Sequence, residues 1–166
     1  MKTASIFLLT LLLGLGIQAQ NIKLPGSADV KKVEQNVKSE TGKVTEQANI
    51  GNVISQLTSN ISDDALTSTF KKNKSDFISK TNNVKDAAGA SSALQTLQGG
   101  LLPTAMDAGW GSVKDKWVKD AKTASTVKTV AGLAGTLESN VSDKFFKGSW
   151  ATARPAWQAA LSTLSK

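Results

Sequence analysis

The chain predicts an all-α protein built as three and a half two-helix repeats of 40 residues, stacked as a short right-handed α-solenoid. Three observations carry that prediction. The segment Leu57, Thr58, Ser59, Asn60, Ile61, Ser62, Asp63 recurs 80 residues later as Leu137, Glu138, Ser139, Asn140, Val141, Ser142, Asp143. At half that offset the bulky apolar positions agree in type: Leu66 with Met106 and Phe146, Phe70 with Trp110 and Trp150, Phe77 with Trp117 and Trp157. Apolar residues also return at intervals of three and four, the period of one helical face. A repeat of this length matches helical-hairpin arrays, in which each unit buries its apolar face against the next. A closed antiparallel bundle of the same seven helices is the alternative, because three and a half units are few.

Residues 1–19 read as a secretory signal peptide: Lys2, an apolar run from Ile6 to Ile17, then Gln18 and Ala19 before the expected cleavage. The run has about a dozen residues where a spanning helix needs roughly 20. No later stretch reaches that length, so no integral membrane segment is expected after cleavage, and the protein is expected to be exported, periplasmic or extracellular. Residues 20–166 suit one helical domain with a proper core. Residues 20–46 form a half repeat and linker, a lone helix over 27–40 with Val30 and Val37 in the aromatic columns. The full repeats are 47–86, 87–126 and 127–166.

Each unit opens on a helix with one apolar face: Ile50, Val53, Ile54, Leu57; then Ala90, Ala93, Leu94, Leu97; then Val130, Leu133, Ala134, Leu137. Asn60, Gly100 and Asn140 stand where that helix ends, residue types suited to a left-handed C-terminal cap. Ser62 and Ser142 are expected as N-caps of the second helix, whereas the middle unit has Leu102 followed by Pro103. Ile61, Leu101 and Val141 lie five positions before Leu66, Met106 and Phe146, the spacing of a hydrophobic staple. Along the second helix, positions of the Leu66, Phe70, Asn73, Phe77 type fall within about 60° of one another, a stripe facing a neighbouring helix. Pro155 should kink the last helix near Arg154, and Gly109 and Gly111 should weaken the helix around Trp110.

The chemical inventory argues against catalysis. The chain has no His, no Cys and no Tyr, so the usual general bases, thiol nucleophiles and most metal ligands are missing. Disulfides and a lipid-modified cysteine are excluded with them. Asp63 and Asp64 sit at an expected helix start, where capping and the helix dipole account for them, and Ser62 has no base beside it. Gly99 and Gly100 lack the glycine and lysine spacing of a phosphate loop. No catalytic residue, metal site or cofactor is expected.

Two recurrent columns are the candidate binding residues. Trp110, Trp117, Trp150 and Trp157 recur in register with the packing face, which suits core, yet four indoles in so small a domain could also line a cleft. Lys74, Lys114 and Arg154 stand at the margin of that stripe, either snorkelling along the core edge or forming a basic ladder. The net charge of +7 favours anionic surfaces, with nucleic acid set aside for an exported protein. The expected role is a non-enzymatic binding or structural protein presenting its helical surface to a macromolecule, a protein or an anionic envelope component. The alternative is a carrier of an apolar or amphiphilic small ligand held between the Trp-bearing helices. Any site is expected at departures from the repeat, around Gly109, Trp110 and Pro155.

Overall fold

The computed structural model describes residues 50–84 and 86–166. The expected signal peptide and the half repeat with Val30 and Val37 lie outside the described residues. Six helices follow in order: α1 (residues 50–60), α2 (Ser68–Asn82), α3 (Ala87–Gly100), α4 (Trp110–Thr123), α5 (Val127–Ser139) and α6 (Trp150–Leu164). They form three hairpins, α1–α2, α3–α4 and α5–α6. Within each hairpin a single 3-10 turn interrupts the connector, at Asp63–Ala65, Pro103–Ala105 and Asp143–Phe145. The described residues are all-helical apart from isolated bridges between connectors.

The first helix of each hairpin is the core helix. Ile50, Ile54 and Leu57 of α1, Ala90, Leu94 and Leu97 of α3, and Val130, Ala134 and Leu137 of α5 are all fully buried. The expected apolar faces therefore pack as a set, with α3 directly against α5. Each second helix lies against its hairpin's first helix and against the first helix of the next hairpin, as α4 does with α3 and α5. Side-chain caps start three of the helices: Thr67 Oγ1 accepts from Phe70 N, Asp86 Oδ1 from Gly89 N and Thr126 Oγ1 from Thr129 N.

The connectors decide the architecture. Ser62 N–H donates to Phe145 O at 2.7 Å, Leu102 N–H to Ala65 O at 2.8 Å and Ser142 N–H to Ala105 O at 3.0 Å. Lys147 N–H donates to Asn60 O, Thr67 N–H to Gly100 O and Asp107 N–H to Asn140 O, each at 2.8 Å. These bonds join hairpin 2 to hairpin 1, hairpin 3 to hairpin 2, and hairpin 1 back to hairpin 3. The last hairpin thereby bonds the first, whereas an open solenoid leaves its end units unpaired. The physical reason lies in the extended residues flanking each 3-10 turn, which carry backbone groups that no helix satisfies. Six bonds between the three connectors pair part of these groups around a closed circuit, and Lys74 Nζ satisfies Ile61 O.

The same pairing revises the expected turn. Ile61 bridges Phe146, Leu66 bridges Leu101 and Met106 bridges Val141, so the residues spaced as a staple meet across hairpins instead of within one. Ser62 caps the 3-10 turn, accepting from Asp64 N, while Ser142 makes no capping bond and the second helices start several residues later than their position suggests. Asn140 is not left-handed, with φ −107° and ψ 0°. Asn60 and Asn140 instead donate their side-chain amides to the carbonyls of Gln56 and Thr136 at 2.8 Å. Gly100 is needed for contact: a Cβ there would lie 2.3 Å from Phe70 Cδ2. Pro103 does open its turn. Gly109 precedes α4 rather than lying within it, and α6 runs through Pro155 as one helix.

Candidate functional site

The aromatic columns build three comparable seams, each between the second helix of one hairpin and the first helix of the next. In the α4–α5 seam Trp117 Nε1–H donates to Leu133 O at 2.9 Å. In the seam where α6 meets α1, Trp157 Nε1–H donates to Val53 O at 2.8 Å. Trp117 and Trp157, 40 residues apart, thus make the same kind of bond in two seams. Both indoles sit edge-on to the preceding aromatic of their helix, Trp110 or Trp150, with ring centroids 5.7 and 5.5 Å apart. All four tryptophans are buried, and Trp150 Nε1 is a buried donor without a partner among the described residues. The indoles are thus used in joining hairpins.

The α2–α3 seam repeats the frame with different side chains. Phe70 and Phe77 keep the tilted aromatic pair, their centroids 5.0 Å apart. Phe77 has no N–H to give, and Ala93 stands where the other seams have Leu133 and Val53. Among the described residues no side chain donates to Ala93 O. A cleft of about 730 Å³ opens here, with Phe70, Phe77, Val84 and Ala93 as its apolar floor and Asn73, Asp76, Lys80, Ser92 and Thr96 around it. The groove at the α4–α5 seam, lined by Val113, Lys116, Trp117, Asp120, Thr129 and Leu133 among others, measures only about 390 Å³.

The basic column does not form a ladder. Lys74 is buried, its Nζ donating to Ile61 O at 2.6 Å and to Asp63 Oδ1 at 2.9 Å. That contact holds the Asp63 carboxyl below its usual range, first by the hydrogen bond from Lys74 and then by its charge. Arg154 bridges Asp143 Oδ1 at 3.0 Å and the buried carboxylate of Glu138 at 2.5 Å. In the middle hairpin Pro103 replaces the aspartate and Gln98 the glutamate, leaving Lys114 exposed beside Trp110 and Gly111 in a groove of about 560 Å³. Two of the three cations are therefore internal ties and one faces solvent. Of the expected departures, Trp110 lines that groove, Gly109 is exposed just before α4, and Pro155 is exposed on α6.

The α2–α3 cleft has no single-residue motif in the sequence. Its signal is the coincidence of two weak members, Phe77 and Ala93, in columns that meet only once it is known which hairpin neighbours which. Among the described residues no helix is long and apolar enough to cross a membrane. Comparison of the chain with protein-family models, with curated proteins and with solved structures finds no match.

Proposed function

We propose that this is an exported, non-enzymatic binding protein whose three hairpins, read as copies of one 40-residue unit closed into a ring, present a basic side to an anionic surface of the cell envelope. The charge distribution over the second helices carries this reading. Lys71, Lys72 and Lys80 are exposed on α2, and Lys114, Lys116, Lys119 and Lys122 on α4, against Asp76, Asp115 and Asp120. Lys116 and Asp120 pair with each other. The charge of α6 is Arg154 alone, which is tied internally, and its outer face exposes Ala151, Thr152, Ala156, Gln158 and Ala159. A ring with two basic sides and one uncharged side orients itself on a polyanion, the field acting within a Debye length.

Co-sedimentation with vesicles tests it. Binding is expected to vesicles containing phosphatidylglycerol and not to pure phosphatidylcholine, to weaken with added salt, and to fall roughly tenfold or more when Lys114, Lys119 and Lys122 become Glu. Equal binding to both vesicle types, or none to either, sinks the reading. The second reading, carriage of a small ligand between helices, is favoured at the α2–α3 seam, where the cleft of about 730 Å³ exceeds the groove of about 390 Å³ beside Trp117.

A further inference from the structure

We infer that the cleft between α2 and α3 binds a planar aromatic compound carrying one N–H or O–H donor, its ring against Phe70 and Phe77 and its donor on Ala93 O. The two other seams specify that chemistry. At each of them the same backbone frame holds an indole whose N–H reaches the carbonyl of the homologous residue, Leu133 O at 2.9 Å and Val53 O at 2.8 Å. The helix geometry that aims those carbonyls recurs in α3, where Ala93 O receives no side-chain donor among the described residues. A carbonyl already bonded within its helix still has a second lone pair.

Space and lining agree with the same class. The cleft lies in the range of small-molecule sites, at about 730 Å³ against about 390 Å³ for the groove where Trp117 and Leu133 stand. Its floor is Phe70, Phe77, Val84 and Ala93, and a Cβ added at Gly99 on its border would meet nothing within 4 Å. Thr81 does not supply a donor to Ala93 O, because its hydroxyl donates to Phe77 O at 2.8 Å. Asn73, Asp76 and Lys80 at the rim allow a polar substituent pointing outward. The vesicle test changes Lys114, Lys119 and Lys122, none of which lines this cleft, so either proposal can fail alone.

Indole is the direct probe, titrated into the full chain and followed by calorimetry and by the backbone amide shifts of residues 92–97. Saturable binding is expected, with shifts centred on Ala93. Benzothiophene, which keeps the shape and replaces N–H by sulfur, is expected to bind roughly three- to tenfold more weakly. Phe77→Trp and Ala93→Leu each rebuild the side chains of the closed seams, and each is expected to lower indole affinity at least roughly tenfold while leaving the chain folded. Absence of saturable indole binding to the unmodified protein overturns the proposal whatever the variants do. Indole binding that both variants leave unchanged overturns the location, and equal affinity for benzothiophene overturns the role of Ala93 O.

Discussion

Two seams of this ring are closed by tryptophan and the third is lined by phenylalanine, on one backbone plan. At the closed seams the outer helix reaches across the hairpin boundary through an indole N–H bonded to a carbonyl of the next hairpin, at Leu133 and Val53. At the α2–α3 seam the boundary is held by the connector bonds Thr67 N–H to Gly100 O and Leu102 N–H to Ala65 O, and by Phe70 lying directly on Gly100. The difference separates what builds the ring from what fills it. Connector hydrogen bonds recur at all three boundaries and set the closure, while the aromatic columns decide whether an indole bond also crosses a boundary.

The largest expected effect breaks a closed seam. Trp157→Ala removes a fully buried indole and its bond to Val53 O, and should cost about 3–5 kcal/mol in urea unfolding. Phe77→Ala at the open seam removes a half-buried ring already beside a cleft and should cost about 2 kcal/mol. Equal losses at the two positions would mean that the seams are energetically alike and the cleft is only a surface irregularity.

The hairpin corners repeat the contrast with charge. Arg154→Ala leaves the Glu138 carboxylate buried without its cation, and should cost about 3 kcal/mol. Lys114→Ala, in the homologous place of the middle hairpin, removes an exposed side chain that lacks the paired acids of the other corners and should change stability by less than about 0.5 kcal/mol. Chemical unfolding of the two variants side by side measures the gap.

Glycine substitutions sharpen the comparison further, because their signs differ. Gly100→Ala drives a methyl group into the Phe70 ring at the open seam and should destabilise by about 1–3 kcal/mol. Gly132→Ala, in mid-helix on α5 with nothing within 4 Å of the added Cβ, should stabilise by about 0.5–1 kcal/mol. Thermal unfolding of both variants reads the opposite shifts.

Helices and their buried faces were legible in the sequence because each apolar position repeats a local rule: three and four residues apart, with polar neighbours outside. Closure was not legible. Ile61 and Leu66 carry the spacing of a staple, and local reasoning pairs them with each other, whereas they bridge Phe146 and Leu101 from other hairpins. Spacing along a chain cannot distinguish a contact at five residues from one at 85. The basic column failed for a related reason: Lys74 and Arg154 look like surface charges until Asp63 and Asp143, eleven residues earlier, are seen folded back onto them. The indoles were legible as core. The cleft was not, since it arises where Phe77 and Ala93, each unremarkable alone, face one another across a boundary.

The smallest expected effect concerns the corner of the first hairpin and depends on pH. Lys74 lowers the pKa of Asp63 from its ordinary value of 3.8, so the folded state holds the charged carboxylate better than the unfolded chain does. The sign follows: this contribution is present above pH 3.8 and is lost as pH falls through the lower folded value. Its size is limited because the Asp63 side chain is 48% exposed and solvent screens the pair. In urea midpoints taken between about pH 6 and pH 2, Asp63→Asn should lie below the unmodified protein at neutral pH and converge on it in acid, since protonation reproduces the variant's neutral side chain. In the middle hairpin Pro103 occupies the aspartate's place, so Lys114→Met should track the unmodified protein across the same range. A gap between Asp63→Asn and the unmodified protein that persists unchanged at low pH would assign the loss to packing around Lys74 and remove the ion pair from the distinction between the corners.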